Sequence, residues 1–180
     1  MKKRYAALIF CAIGILLGSV TSEAKKKPSV TAESAIVMDV QSGAILYEKN
    51  IDKREYPASI TKVMTALVAI ENSSLSETVT YSRNAVTNLE SGASNIEIQP
   101  GEKLSMEDSL YAILLMSANE ACNGVAEHVA GSIDNFVAMM NQKAKELGCT
   151  GTHFANANGL WMSNHYTTAH DICLLYTSDA

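Results

Sequence analysis

The chain has 180 residues, of which 47% are hydrophobic and 18% charged, the balance of one globular domain or part of one. Its formal net charge of −5 excludes a general nucleic-acid binder, which needs a basic face. It carries no basic stripe with interleaved aromatics and no internal repeat.

The amino terminus reads as an export signal. Lys2, Lys3 and Arg4 precede an almost unbroken apolar run from Tyr5 to Val20, too short and wrongly flanked for an ordinary membrane span. Ser22-Glu23-Ala24 has the small-x-small pattern of a cleavage site, so residues 1–24 are expected to be a signal peptide. A retained membrane anchor is the alternative. Residues 25–34 then form a polar linker, and residues 35–172 the folded domain. Four cysteines are present. Cys122 and Cys149 read as buried small residues rather than a disulfide. No Cys/His spacing resembles a metal site, so no metal or cofactor is expected.

Ala35 to Val40 and Ala44 to Glu48 read as two strands joined by Gln41-Ser42-Gly43, a hairpin with a glycine-containing loop. Tyr56-Pro57-Ala58 breaks the chain before a helix, on which Val63, Leu67 and Ile70 follow helical spacing to about Asn72. Glu77 to Tyr81 and Ile96 to Ile98 are expected short strands. Ser105 with Asp108 resembles a capping box for a helix that stops near Ser117. Helices follow from about Glu120 to Ala130 and from Asp134 to Leu147, the latter closed by Gly148. Thr152 to Tyr166 reads as an irregular loop, and Thr168 opens a further helix. Cys173 to Ala180 match what one frame of a common sequencing adapter encodes. The genuine domain is therefore expected to stop near Ile172, the alternative being a real helix end.

Ser59-Ile60-Thr61-Lys62 carries the chemistry. Ser and Lys at i and i+3 share one helix face. A serine hydroxyl is a weak nucleophile until a neighbour takes its proton, and a partly desolvated lysine can be neutral enough to do so. Ser117-Ala118-Asn119, at a break between helices, can turn a hydroxyl and a carboxamide into the same cleft. Each motif alone is weak. Ser22-Glu23-Ala24-Lys25 repeats the first and Ser82-Arg83-Asn84 the second, and Ser59 alone could be a helix cap.

The two motifs in order are more specific. Together with Asp39-Val40-Gln41-Ser42-Gly43, Pro57-Ala58-Ser59-Ile60-Thr61-Lys62-Val63-Met64-Thr65, Leu115-Met116-Ser117-Ala118-Asn119-Glu120-Ala121, Asn158-Gly159-Leu160 and His165-Tyr166-Thr167-Thr168-Ala169-His170-Asp171, they resemble the serine-type D-alanyl-D-alanine carboxypeptidases, the low-molecular-mass penicillin-binding proteins. The resemblance implies an α+β fold of the β-lactamase/penicillin-binding transpeptidase type. A helical cluster would pack on an antiparallel sheet whose C-terminal strands lie outside these residues.

By the same resemblance Ser59 would be the acylated nucleophile, Lys62 its general base, Ser117 the proton relay and Asn119 a substrate-binding residue. The partners implied are peptidoglycan stem peptides, with β-lactams as covalent inhibitors, in the periplasm or at the outer face of the cytoplasmic membrane. A membrane anchor in a further C-terminal part is implied too. The family's Lys-Thr-Gly motif is not among the 180 residues, so the chain as written is expected to be poorly active. Two alternatives stay open. One is a serine β-lactamase of the same fold, although no convincing deacylating Glu follows Asn119. The other is a non-catalytic penicillin-binding sensor or cell-wall-binding remnant. A Ser59–His165–Asp171 triad is disfavoured, because Lys62 already supplies a base.

Overall fold

The computed structural model describes residues 28–87 and 89–177. The expected signal peptide lies outside the described residues. The chain divides into Met1–Thr31 and Ala32–Ala180; within the first, residues 28–31 are irregular, and the architecture below is that of the second.

Strands β1 (Ala35–Met38) and β2 (Ile45–Lys49) form the expected antiparallel hairpin, with Ala35 opposite Lys49 and a bulge at Val37/Met38. Its turn is held by the Asp39 carboxylate, which accepts the Ser42 N–H at 2.8 Å, while Gly43 takes the left-handed φ of 70° that a side chain disfavours. A second pair joins β3 (Thr78–Thr80) to β4 (Lys103–Ser105), with Val79 opposite Leu104. The expected strand at Ile96 to Ile98 is absent. Glu97 lies at φ 62°, and the Ile96 N–H donates to the Glu120 side chain instead of a ladder. The partner of β3 is therefore the segment just beyond the Pro100-Gly101 turn.

The helices are α1 (Thr61–Asn72), α2 (Arg83–Thr87), α3 (Met106–Leu115), α4 (Asn119–Ala130), α5 (Ile133–Glu146) and α6 (Ala169–Tyr176). Ser105 caps α3 by accepting the Asp108 N–H at 3.0 Å, satisfying a donor that the helix leaves free. Thr168 does the same for α6 through Asp171. Gly148 follows α5 at φ 80°, the left-handed closure its position predicts. Short α2 was not foreseen. Ser82 caps it by accepting the Ala85 N–H, which accounts for Ser82-Arg83-Asn84 as a helix start. Helix α6 continues through Cys173, and Leu175 on its last turn is buried.

Helix α4 is the axle of the cluster, packed against α1, α2, α3, α5 and β3. Ala121, Cys122, Val125 and Ala126 are fully buried on it, together with Met64, Val68, Ile113, Phe136 and Met140 from its neighbours. Burying each large side chain stabilises the fold by about 1.5–3 kcal/mol. Gly124 lets α4 approach β3's extension, because a Cβ there would stand 2.2 Å from the Tyr81 ring. The Tyr81 hydroxyl in turn donates to Ser109 at 2.7 Å. Cys122 and Cys149 are both buried free thiols. Among the described residues no helix is long and apolar enough to cross a membrane.

Candidate active site

Ser59 sits in a short 3-10 turn, Ala58–Ile60, that runs directly into α1. Pro57 precedes it, and Ala58 is held at φ 47°, a costly conformation for a residue with a Cβ. Gly159 explains how that strain is kept. It presses against the turn so closely that a Cβ would lie 2.0 Å from the Ala58 carbonyl oxygen.

Lys62 is one turn on and only 3% exposed. Its ammonium donates to Asn119 Oδ1 at 2.9 Å and to the Asn158 carbonyl at 2.6 Å. Burial holds its pKa below the usual lysine value, and Cys122 and Glu120 oppose that shift by favouring the charge. Burial also pushes the Cys122 thiol up to about 12, so at neutral pH it is uncharged and Glu120 is the anion that counts.

Ser117 follows the end of α3 at φ 55°, which aims its side chain back across the cleft. Its hydroxyl donates to Ser59 Oγ at 3.0 Å. Asn119, the first residue of α4, fixes the opposite wall: its N–H and its side-chain amide both donate to the Ser94 carbonyl, at 3.0 and 2.8 Å. The fold thus gathers all four expected residues around one point. Ser59, Lys62 and Ser117 line one cavity of about 330 Å³. Ser59 and Asn119 line a second, of about 380 Å³, with Gly92 to Ser94 on one side and Leu160 to Met162 on the other.

His165 and Asp171 do not complete a triad. The His165 ring accepts the Ala155 N–H at Nδ1, so its proton is on Nε2, facing Thr61 Oγ1 at 2.8 Å. Asp171 is spent on Gly151 N–H and Thr152 Oγ1.

The sequence reading placed the Thr152 to Tyr166 loop but not its clamp on α1. Thr61 bonds His165, Lys62 the Asn158 carbonyl, and Thr65 the Ala157 carbonyl at 2.5 Å. The polar run Thr61, Lys62 and Thr65 at the start of an otherwise apolar helix was the available signal. Glu120 was missed as well. It is 1% exposed, accepts the Ile96 N–H at 2.6 Å through Oε1, and leaves Oε2 buried without a hydrogen-bond partner.

Comparison with known proteins identifies the family and the fold. A family profile described as D-alanyl-D-alanine carboxypeptidase matches residues 21–179. The chain is 34% identical to D-alanyl-D-alanine carboxypeptidase DacF of Bacillus subtilis, over 96% of this chain and 46% of that protein. It is 36% identical to DacC of Escherichia coli, over 82% of this chain and 39% of that one. Among solved structures, penicillin binding protein 6B from Escherichia coli superposes with a TM-score of 0.81 at 29% identity, covering 87% of this chain and 52% of that chain. DacD from Francisella tularensis superposes with a TM-score of 0.79 at 37% identity, covering 84% and 37%. The fold is the α+β fold of the penicillin-binding peptidases. The chain belongs to the D-alanyl-D-alanine carboxypeptidase family and spans less than half the length of those two curated relatives.

Proposed function

We propose that the protein is a serine D-alanyl-D-alanine carboxypeptidase that removes the terminal D-alanine of peptidoglycan stem peptides through an acyl-enzyme on Ser59. The observation that carries this reading is the 3.0 Å contact between the Ser117 and Ser59 hydroxyls beside the buried Lys62, which lines the same cavity.

Because Ser117 donates to Ser59 Oγ, the proton on Ser59 is free to leave in another direction. Neutral Lys62 takes it as Oγ attacks the carbonyl carbon of the penultimate D-alanine. The carbonyl π electrons move onto oxygen, which the Ser59 N–H, at the positive end of α1, stabilises. On collapse the C–N bond breaks, and the leaving amine of D-alanine takes the proton from the Ser117 hydroxyl, which is refilled from Lys62. Water then attacks the ester and returns Ser59 to its hydroxyl form. The Asn119 amide orients the substrate backbone. β-Lactams would acylate the same oxygen as trapped mimics of the peptide. In this reading residues 1–24 are the export signal, and the protein acts in the periplasm or at the outer face of the cytoplasmic membrane.

The test is release of D-alanine from a pentapeptide ending in D-Ala-D-Ala, measured beside covalent labelling by a fluorescent penicillin. Both are expected to depend on Ser59. Labelling without peptide turnover would favour the sensor reading, and rapid release of hydrolysed penicillin the β-lactamase one.

A further inference from the structure

The second cavity holds a feature that the chemistry at Ser59 does not use. Tyr56 and Trp161 face each other across its mouth, ring centroids 6.3 Å apart and tilted by 47°. They are 61% and 66% exposed, and Met162 beside them is also largely exposed. Large aromatic surfaces left in water beside a cleft mark a place where a ligand covers them.

The pair is rigidly placed. Leu160, immediately before Trp161, is pinned at both backbone groups: its N–H donates to Asn158 Oδ1 at 3.0 Å, and its carbonyl accepts from Asn156 Nδ2 at 2.8 Å. Tyr56 precedes Pro57 and the turn that carries Ser59. Among the described residues that line this cavity, none is an acid, a lysine or an arginine. Its one imidazole, His165, is held neutral by burial, its pKa pushed down to about 4. The cavity therefore offers apolar area and neutral hydrogen-bonding groups but no counter-charge.

Position decides which half of the substrate lies here. Ser59 lines both cavities, but Ser117, the group that hands a proton to the departing amine, lines the other one. The leaving half therefore occupies the Ser117 side, and the half that stays on Ser59 extends over Asn119 toward the aromatic rim.

We propose that Tyr56 and Trp161 form a subsite for an uncharged, apolar group on the acyl side of the bond that Ser59 attacks. This rests on the acyl-enzyme reading above. The probes are benzylpenicillin and its acetamido analogue, which differ only by a phenyl ring on the acyl side chain. The purified full chain should be acylated faster by the phenyl compound. In Trp161→Ala the ratio of the two rates should fall about fivefold, the order expected for losing one aromatic pair, and Trp161→Phe should restore most of it. An unchanged ratio in Trp161→Ala overturns the subsite. A second readout does not need acylation. Trp161 is the single tryptophan of the chain, so in Ser59→Ala its emission should shift on adding benzylpenicillin and shift much less with the acetamido compound. Equal responses, or none, overturn the subsite. A selective shift with no labelling of Ser59 in the unaltered protein upholds the subsite and removes the catalytic reading instead.

Discussion

The Lys62 ammonium donates to the carboxamide oxygen of Asn119 at 2.9 Å, joining the start of α1 to the start of α4. A lysine that is 3% exposed keeps its charge at a cost, and its two acceptors here, an amide oxygen and the Asn158 carbonyl, are both neutral. Neutral acceptors offset only part of what desolvation takes away, which leaves the ammonium ready to give up its proton.

The rate of acylation by a penicillin should therefore rise with pH, along a limb centred below the ordinary lysine value of 10.5, because burial lowers the Lys62 pKa. Lys62→Ala should slow acylation by about 10²–10⁴-fold, the usual worth of a general base. Lys62→Arg should do no better, since a guanidinium keeps its proton. Stopped-flow acylation from pH 6 to 10 checks this. A flat profile in the unaltered protein, or near-normal rates in Lys62→Ala, would remove lysine from the role.

Glu120 is expected to set where that limb lies. Replacing it by Gln keeps an acceptor for the Ile96 N–H but removes the buried anion that favours a charged Lys62. The Lys62 pKa should fall, and the acylation limb should move to lower pH. Glu120→Ala also strands the Ile96 N–H and should cost about 1–3 kcal/mol of stability, measured by denaturant unfolding. An unmoved limb in Glu120→Gln would show that the carboxylate acts only as a strut for the Ser94 to Ile96 wall.

Why the convergence of Ser59, Lys62, Ser117 and Asn119 was legible while the contacts of Glu120 and Asn158 were not has a physical explanation. The first four stand in short motifs at helix starts and breaks, where spacing alone determines direction. Glu120 and the Asn158 carbonyl act through contacts spanning 24 and 96 residues, and a backbone carbonyl leaves no residue-type signature at all. The strands divided in the same way. The β1–β2 hairpin is local and announces itself by its glycine turn. At Ile96 to Ile98 the expected strand does not form, although Ile98 is buried. One long-range carboxylate took the N–H that a ladder would have used.

Gly159 and Gly101 offer a matched test of close packing under Ser59. Both adopt positive φ, 85° and 87°, but a Cβ at Gly101 meets nothing within 4 Å while one at Gly159 meets the Ala58 carbonyl at 2.0 Å. Gly101→Ala should therefore cost only conformational strain, about 1–2 kcal/mol, and leave acylation intact. Gly159→Ala adds an overpacking cost of about 1–3 kcal/mol and should also slow acylation, because the displaced carbonyl belongs to the residue before Ser59. Equal acylation rates in the two variants would mean that the turn tolerates the shift.

His165 should give the fold a dependence on mild acid. It is buried between Thr61 and the Ala155 N–H, and burial, reinforced by the neighbouring His153, lowers its pKa to about 4. Above pH about 6.5, the ordinary histidine value, the ring is neutral in folded and unfolded chains alike and has no effect on the balance. As pH falls below that, the unfolded chain binds a proton that the folded chain refuses. Stability then declines until about pH 4, where both forms are protonated. The total is of the order of 3 kcal/mol. Urea unfolding at pH 7 and pH 5 should show about 2 kcal/mol of this loss, and His165→Gln, which cannot titrate, should flatten the difference even if it is less stable at both. The same slope in His165→Gln would show that His165 is not the group responsible. Because Thr61 stands between Ser59 and Lys62, protonating its ring partner should also loosen the Ser59 turn before the domain unfolds. Acylation should accordingly fail at a slightly higher pH than the fold does.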